Sequence, residues 1–406
     1  MRNYRLLLKQ IVLKELADHF KGYKFSIVFI SCFTLMGFNH LVMYQNYKSR
    51  LLDVELASTT TSSSFNFIVK KAEPLSVYVT GVGDLINRVL TFDDKVTPRF
   101  LTDLQGINFD VHKQYFPLID FNYLVCVILS FLAMIVGFDA ICGEKQNGTL
   151  KLMLSNTVPK DTVLFGKLIS NFLTLIIPFI FSSLFYYIVL TTKKDLYFTS
   201  SDNIRLLLMM LVSVIYLSVF IIISITISAS SSNIVESMIK NFIVWATIVF
   251  FIPAVSPSLS DLSGKLPEGR KIEDAYLINL IDKNSSMQPE EAFYNYTSQV
   301  LDYRNKLNKQ IRTIELTALL IPSNAYNLCV TSLAKCGLED EEDFRNAILQ
   351  YHKDRFNGKN NYDFVYEGLD LKSSLQNSLK YFGSLLIFLL AMFLIAVKKF
   401  NNYDIR

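Results

Sequence analysis

Six stretches of this sequence are almost free of charge and too long to be buried faces of globular helices. They fall at about 25–43, 121–141, 163–190, 204–228, 241–255 and 381–397. A helix needs roughly 17–25 apolar residues to cross a hydrocarbon layer ~30 Å thick. Most of the runs reach that length, and the short one at 241–255 reaches it once 234–239 extends it. A surface helix of a soluble protein would show a polar face along such a run, and these do not. The expected fold class is therefore mainly α, a polytopic membrane protein with six transmembrane helices.

Charge sets the orientation. Arg2, Arg5, Lys9, Lys14, Lys21 and Lys24 precede the first run. Lys145, Lys151, Lys160 and Lys167 lie between the second and third, and Lys398, Lys399 and Arg406 follow the last. Six spans put all three groups on one side, and the excess of Lys and Arg makes that side cytoplasmic. Lys193 and Lys194 on the other side are a minor dissent. The first run starts too late and lacks the small-residue ending of a cleaved signal peptide. The expectation is a multi-pass protein of the inner (cytoplasmic) membrane with both termini in the cytoplasm.

These boundaries divide the chain. Residues 1–24 read as an amphipathic helix lying in the membrane interface, with Leu8, Ile11, Val12, Leu16 and Phe20 on one face. Spans follow at 25–43, 119–141, 163–190, 204–228, 234–255 and 380–397. A hairpin at 142–162 and a tail at 398–406 face the cytoplasm. Two large extracytoplasmic segments, 44–118 and 256–379, are expected to be mostly helical. In the first, the Ser/Thr-rich ASTTTSSSFNF reads as loop, and FIVKK and LSVYVTG as short extended pieces joined at Pro74. In the second, the sequences from Pro289 and from Leu338 open with acidic residues, as helices do. FFIPAVSPSLS and IPSNAY carry the breakers and read as loops.

Several chemistries are missing. Gly166-Lys167 and Gly264-Lys265 are each followed by Leu and lack the first Gly of a phosphate-binding loop. Gly81-x-Gly83 has Ile86 where a dinucleotide fingerprint needs its third Gly. The four His are far apart, and the five Cys form no C-x-x-C pair, so no metal site is expected. Cys329 and Cys336 lie seven residues apart, a rise of about 10 Å on one helix, so a disulfide there would need a helix break. No nucleophile motif is present, and the chain is expected to be non-catalytic and to bind no cofactor. Charged groups are nearly absent inside the spans, against proton- or sodium-driven transport. Ser224 and Ser228 form a small-xxx-small pair in the fourth span. The pair serves packing within the chain or, on the sharper reading, a subunit interface.

The polar island FDAICGEKQNGTLKLMLSNTVPKDTVLFGK, at 138–167, stands out against this background. Gly148-Thr149-Leu150 opens a short helix with Leu150, Met153 and Leu154 on one side, and Thr157-Val158-Pro159 ends it. Pro159 and Asp161 suit the start of the next helix. The expected product is a stiff helix–turn–helix finger, too sparsely charged for nucleic acid and suited to receiving a push from a soluble motor.

The residues Gly143-Glu144-Lys145-Gln146-Asn147-Gly148-Thr149-Leu150, then Leu154-Ser155-Asn156-Thr157-Val158-Pro159-Lys160, then Gly166-Lys167 resemble the signature of ABC-2 type permeases, the membrane subunits of exporters in the ABC transporter class. Thr157 stands where that pattern has Pro. The whole chain more weakly resembles the long-loop, six-span sub-group of these permeases. The resemblance implies a pore half, paired with a second permease copy or a paralogue in the lipid bilayer. Each permease would dock an ATP-binding subunit that carries ATP and Mg. It makes the finger the coupling helix, with Glu144, Gly148, Thr149, Leu150, Leu154 and Pro159 as its coupling residues. A competing expectation is a mechanical transmitter, in which the ATPase remodels the outer segments to act on an extracytoplasmic partner with no substrate passing through. The residues do not name a substrate.

Overall fold

The computed structural model describes residues 2–59, 66–69, 72–81, 89–92, 119–155, 158–255, 289–356 and 368–402, together with positions 271, 272, 275, 278, 364 and 366. The helices are α1 (Arg2–Lys21), α2 (Lys24–Thr59), α3 (121–137), α4 (Cys142–Gln146), α5 (Thr149–Ser155), α6 (Lys160–Thr191) and α7 (Ser200–Ser230). After them come α8 (Ile234–Val255), α9 (Pro289–Ala318), α10 (Pro322–Leu333), α11 (Leu338–Phe356) and α12 (Leu371–Asn401). Strands β1 (Asn66–Val69) and β2 (Val89–Phe92) pair antiparallel, Asn66 opposite Phe92 and Val69 opposite Val89.

Six of these helical stretches are long and apolar enough to span a membrane: Lys24–Leu52, Phe121–Gln146, Lys160–Thr191, Ser200–Ser230, Ile234–Val255 and Leu371–Asn401. The protein is thus a mainly α, multi-pass membrane protein. Four of the six spans begin at a side-chain cap. Asp120, Asn233 and Asp370 accept from the amides of Tyr123, Glu236 and Ser373. Thr199 and Asp202 form a reciprocal capping box.

The second and fourth spans form the centre, with 61% and 56% of their apolar windows buried, against 17% and 22% for the fifth and sixth. α7 packs on α3, α10 and α12. Ser224 and Gly137 let α7 and α3 close up: a Cβ on Gly137 would come within 2.9 Å of Ser224. Ser224 donates to the Met134 carbonyl at 2.7 Å. Both Ser224 and Ser228 are fully buried against α3 and the start of α4 in the same chain. The packing at this pair is intramolecular, and neither side chain reaches a surface that a second copy would meet.

A belt of neutral hydrogen bonds crosses the middle of the bundle. A π segment at Leu124–Leu129 frees the Cys126 carbonyl from regular helix bonding. That carbonyl accepts from Ser130 (2.6 Å) and from Tyr216 of α7 (3.0 Å). Trp245 of α8 donates to Ser130 at 3.0 Å. Tyr216 stacks on Tyr326 of α10 with ring centroids 4.5 Å apart, and Tyr326 shares a 2.9 Å hydrogen bond with Ser213.

Four sequence expectations change here. IPSNAY is not a loop. Ile321 caps α10, and Pro322 occupies its first position, where the missing N–H costs nothing. α10 is buried between α7 and α12, and it runs antiparallel to α7, from beside Tyr216 at its start to Arg205 at its end. Tyr216 lies about 24 Å along α7 from Ser200, so this helix dips deep into the bundle instead of sitting in an outer domain. FFIPAV stays helical to Val255. The Ile248 carbonyl, five residues before Pro253, accepts instead from Ser323 at 3.0 Å. LSVYVTG opens with a 3-10 turn, Pro74–Val77, because Pro74 presets its first φ, and the strand partner of 66–69 is 89–92. The first span's helix runs on to Thr59, into the Ser/Thr patch, whose 60–65 part lies outside the described residues.

Arg205 ties this end of the bundle together. It is fully buried and donates to the Leu333 carbonyl (3.0 Å), Ser374 Oγ (2.8 Å) and the Leu369 carbonyl (2.7 Å). Arg205→Met strands those acceptors, at about 1–3 kcal/mol for each buried group left unpaired. The expected result is a lower thermal midpoint in detergent and faster proteolysis between α10 and α12. An unchanged midpoint would show that Arg205 does not hold α10 in place.

Candidate functional site

The finger is built as two short helices around one glycine. α4 ends at Asn147, and Gly148 follows with φ +74, a left-handed conformation that reverses the chain into α5. A Cβ on Gly148 would meet no atom within 4 Å, so any substitution there acts through backbone strain alone. Leu150 is buried and Leu154 half-buried, while Thr149 and Pro159 are exposed. Pro159 caps α6 in an extended conformation. Leu152, on the other side of α5, is 67% exposed.

The base of the finger is fastened from three directions. Ser228 Oγ accepts from the amides of Ile141 and Cys142, both at 3.0 Å, so α7 supplies the cap that α4 lacks in its own sequence. Lys145 donates to the carbonyls of Ala229 and Ser231. Lys24, at the start of α2, reaches Asp139 at 2.6 Å and the Val136 carbonyl at 3.0 Å.

The third fastening is a buried charge network. Gly166 lies where α1 crosses α6, and a Cβ there would come within 2.5 Å of Ile11. This close approach brings Glu15 onto Lys167. Lys167 Nζ is 3.0 Å from Glu15 Oε1 and 2.9 Å from Glu144 Oε1, with a side chain only 1% exposed. Lys14 joins from the rim, 3.7 Å from Glu144 and 4.0 Å from Glu15. Two cations thus balance two carboxylates drawn from α1 and the finger. One turn beyond Glu15 on α1 stands His19, whose Nδ1 lies 2.7 Å from Thr174 Oγ1. The Thr174 hydroxyl donates to the Ser170 carbonyl, so the imidazole is the donor. Burial, and secondarily the Lys24 charge, push the His19 pKa down to about 4.

Of the expected coupling residues, Glu144 is turned inward onto Lys167, Leu150 and Leu154 support α5 from beneath, and Gly148, Thr149 and Pro159 lie on the surface. Sequence reasoning missed Glu15, His19 and Leu152, and it counted Lys167 as one loop charge among several. A signal existed for Glu15: it lies among Ile11, Val12 and Leu16, and a carboxylate on that apolar face needs a partner. The same face differs from the expected one. Leu8, Ile11, Glu15 and His19 turn toward α6, while Leu6, Leu13 and Phe20, seven residues apart, form a separate exposed apolar stripe. Among the described residues, no group of three His, Cys, Asp or Glu is placed to hold a metal ion, and all five Cys are free thiols.

The class is now defined: a six-span helical membrane protein whose N-terminal helix is locked to a finger between spans two and three. A family model described as ABC-2 family transporter protein matches residues 10–405. The chain belongs to that family, whose members are transporter membrane components and generally non-catalytic. A search of curated proteins found no match.

Lys167→Met should lower stability by about 3–5 kcal/mol, because it leaves two carboxylates stranded around a buried position. Adding Glu15→Gln and Glu144→Gln should recover most of the loss, since the cost lies in the unpaired charge. Thermal melts in detergent read both; a destabilisation under about 0.5 kcal/mol for Lys167→Met would remove the network from the fold. His19 gives a second check. Its folded pKa lies below the unfolded value near 6.5, so the unfolded chain binds the proton first. Stability should therefore fall as pH drops from about 6.5 toward 4, and His19→Asn should flatten that part of the wild-type slope.

Proposed function

We propose that this chain is the permease subunit of an exporter driven by a separate ATP-binding subunit, and that the 142–162 finger is where the motor's force enters. The observation that carries this reading is the Glu144–Lys167–Glu15 network, which makes the finger, α1 and α6 one mechanical unit. A push on the exposed tip at Thr149, Lys151 and Leu152 would rotate the base, and the base cannot move without α1 and the third span. Leu152 supplies an apolar anchor of the kind that fills a pocket on a partner, and Lys151 a polar rim. ATP and Mg belong to that partner. No residue of this chain does chemistry in this scheme.

The rest of the assembly follows from the surface. α8 and α12 expose most of their apolar windows, which suits contact with lipid and with a second permease copy or a paralogue. The Lys and Arg distribution supports the inner membrane, with both termini and the finger in the cytoplasm.

A second reading has its own support. Arg205 clamps α7, α10 and the start of α12, and Lys335 pairs with Glu73 at 3.3 Å across the two outer segments. Motion of the spans would thus be passed to the outer segments, as a mechanical transmitter requires. Cross-linking α10 to α7 separates the two: it should block a transmitter's outer partner while leaving ATPase docking intact.

The test of the main reading uses the chain reconstituted with its ATP-binding subunit. Leu152→Asp should weaken docking on the order of tenfold, with the melting midpoint unchanged because the side chain touches solvent. Gly148→Val should leave docking measurable but reduce stimulated ATP hydrolysis, since it misdirects α5. Wild-type docking and stimulation in both variants would sink the role given to the finger.

A further inference from the structure

Beside the finger, on the face away from α1, a cavity of about 980 Å³ opens between α4, the turn joining α7 to α8, and the end of α12. Among the described residues, its lining holds three lysines, Lys145, Lys398 and Lys399, and no Asp or Glu. The lysines come from two elements that meet only through the fold. Lysines at a helix end complement its dipole, which accounts for Lys398 and Lys399 singly; it does not account for Lys145 converging on them from the finger. Lys145 is steered into place by the carbonyls of Ala229 and Ser231. Glu236, a carboxylate bound to the lining, is held by the amide and hydroxyl of Ser232 and is paired with Lys240. The cavity therefore presents an excess of positive charge.

The apolar part of the lining decides what kind of anion fits. Ile395 lines the cavity and is 44% exposed. Ile387, Leu390 and Leu394 continue from it along α12 as an exposed stripe, each at least 60% accessible. A charged recess at one end of a membrane-facing apolar stripe matches a molecule with a phosphate head and acyl tails. Basic pockets between spans on the cytoplasmic side bind such head groups. We propose that this cavity seats the phosphate head group of an anionic phospholipid, with its chains lying along the exposed face of α12. The bound lipid would bridge the base of the finger to the sixth span, joining two elements that the charge network on the α1 side does not connect.

Native mass spectrometry of the full chain, stripped of lipid in detergent and titrated with phosphatidylglycerol or phosphatidylcholine, tests this. Wild type should retain phosphatidylglycerol in preference to phosphatidylcholine. Lys398→Gln with Lys399→Gln, both solvent-exposed, should weaken that retention on the order of tenfold with an unchanged melting midpoint. Lys193→Gln with Lys194→Gln, at the far end of α6, should leave it intact. Should the finger-side variant lose its fold, Lys399→Glu alone serves as the second probe, with the same direction expected. Equal retention of both lipids by wild type, or retention by the Lys398 and Lys399 variants equal to wild type, overturns the proposal. So does release of the lipid by millimolar inorganic phosphate, which would make the cavity a free-anion site.

Discussion

A lysine placed in a protein interior has few stable surroundings, and Lys167 has one of them. Its ammonium sits between two carboxylates from different parts of the chain. Without these carboxylates the buried ammonium would be stranded, at a cost of several kcal/mol. Gly166 makes the arrangement possible, because any side chain there would push α1 away from α6 and pull Glu15 out of reach. Gly166 and Lys167 therefore set α1 against the third span and add one fastening to those that hold the finger. Apolar packing alone would hold these elements together while tolerating small slips in register; a hydrogen-bonded ion network does not.

The two ends of the bundle use different chemistry. At the finger end, charge is met by charge. At the other end, Arg205 is met mainly by neutral carbonyl and hydroxyl oxygens. Guanidinium suits that task, because its planar fork can serve several acceptors at once. Between the two ends lies the neutral belt of Cys126, Ser130, Tyr216, Trp245 and Tyr326. Its bonds run from helix to helix, so α3, α7, α8 and α10 share one rigid centre. The elements outside it are the finger, α1 and the lightly buried α12.

The spans were legible in the sequence because each is a long average over many apolar residues, and no single substitution alters the reading. The finger was legible for the opposite reason. Gly148 and Pro159 are single residues whose backbone demands leave little choice. α10 escaped because twelve residues of mixed polarity are too short to read as a span, and its Pro reads as a breaker when it is in fact a first-turn residue. Its burial depends on Tyr216 and Tyr326 finding each other across 110 residues, and nothing local records that. Glu15 was hidden in the same way: its partner is 152 residues away.

Glu144 shows how a motif residue can be legible in the sequence while its neighbours in the fold are not. From the sequence, an acidic residue at the edge of a span reads as a hand held out to a partner. In the fold its side chain is 16% exposed and one oxygen is spent on Lys167. The other oxygen has no partner within the chain and is enclosed. A charge so placed is held firmly, because its ion pair is shielded from the salt and water that weaken exposed pairs. The open side of the finger is the far side of α5, where Leu152 is 67% exposed. The hairpin thus turns one side chain inward from α4 and another outward from α5, with the left-handed Gly148 between them.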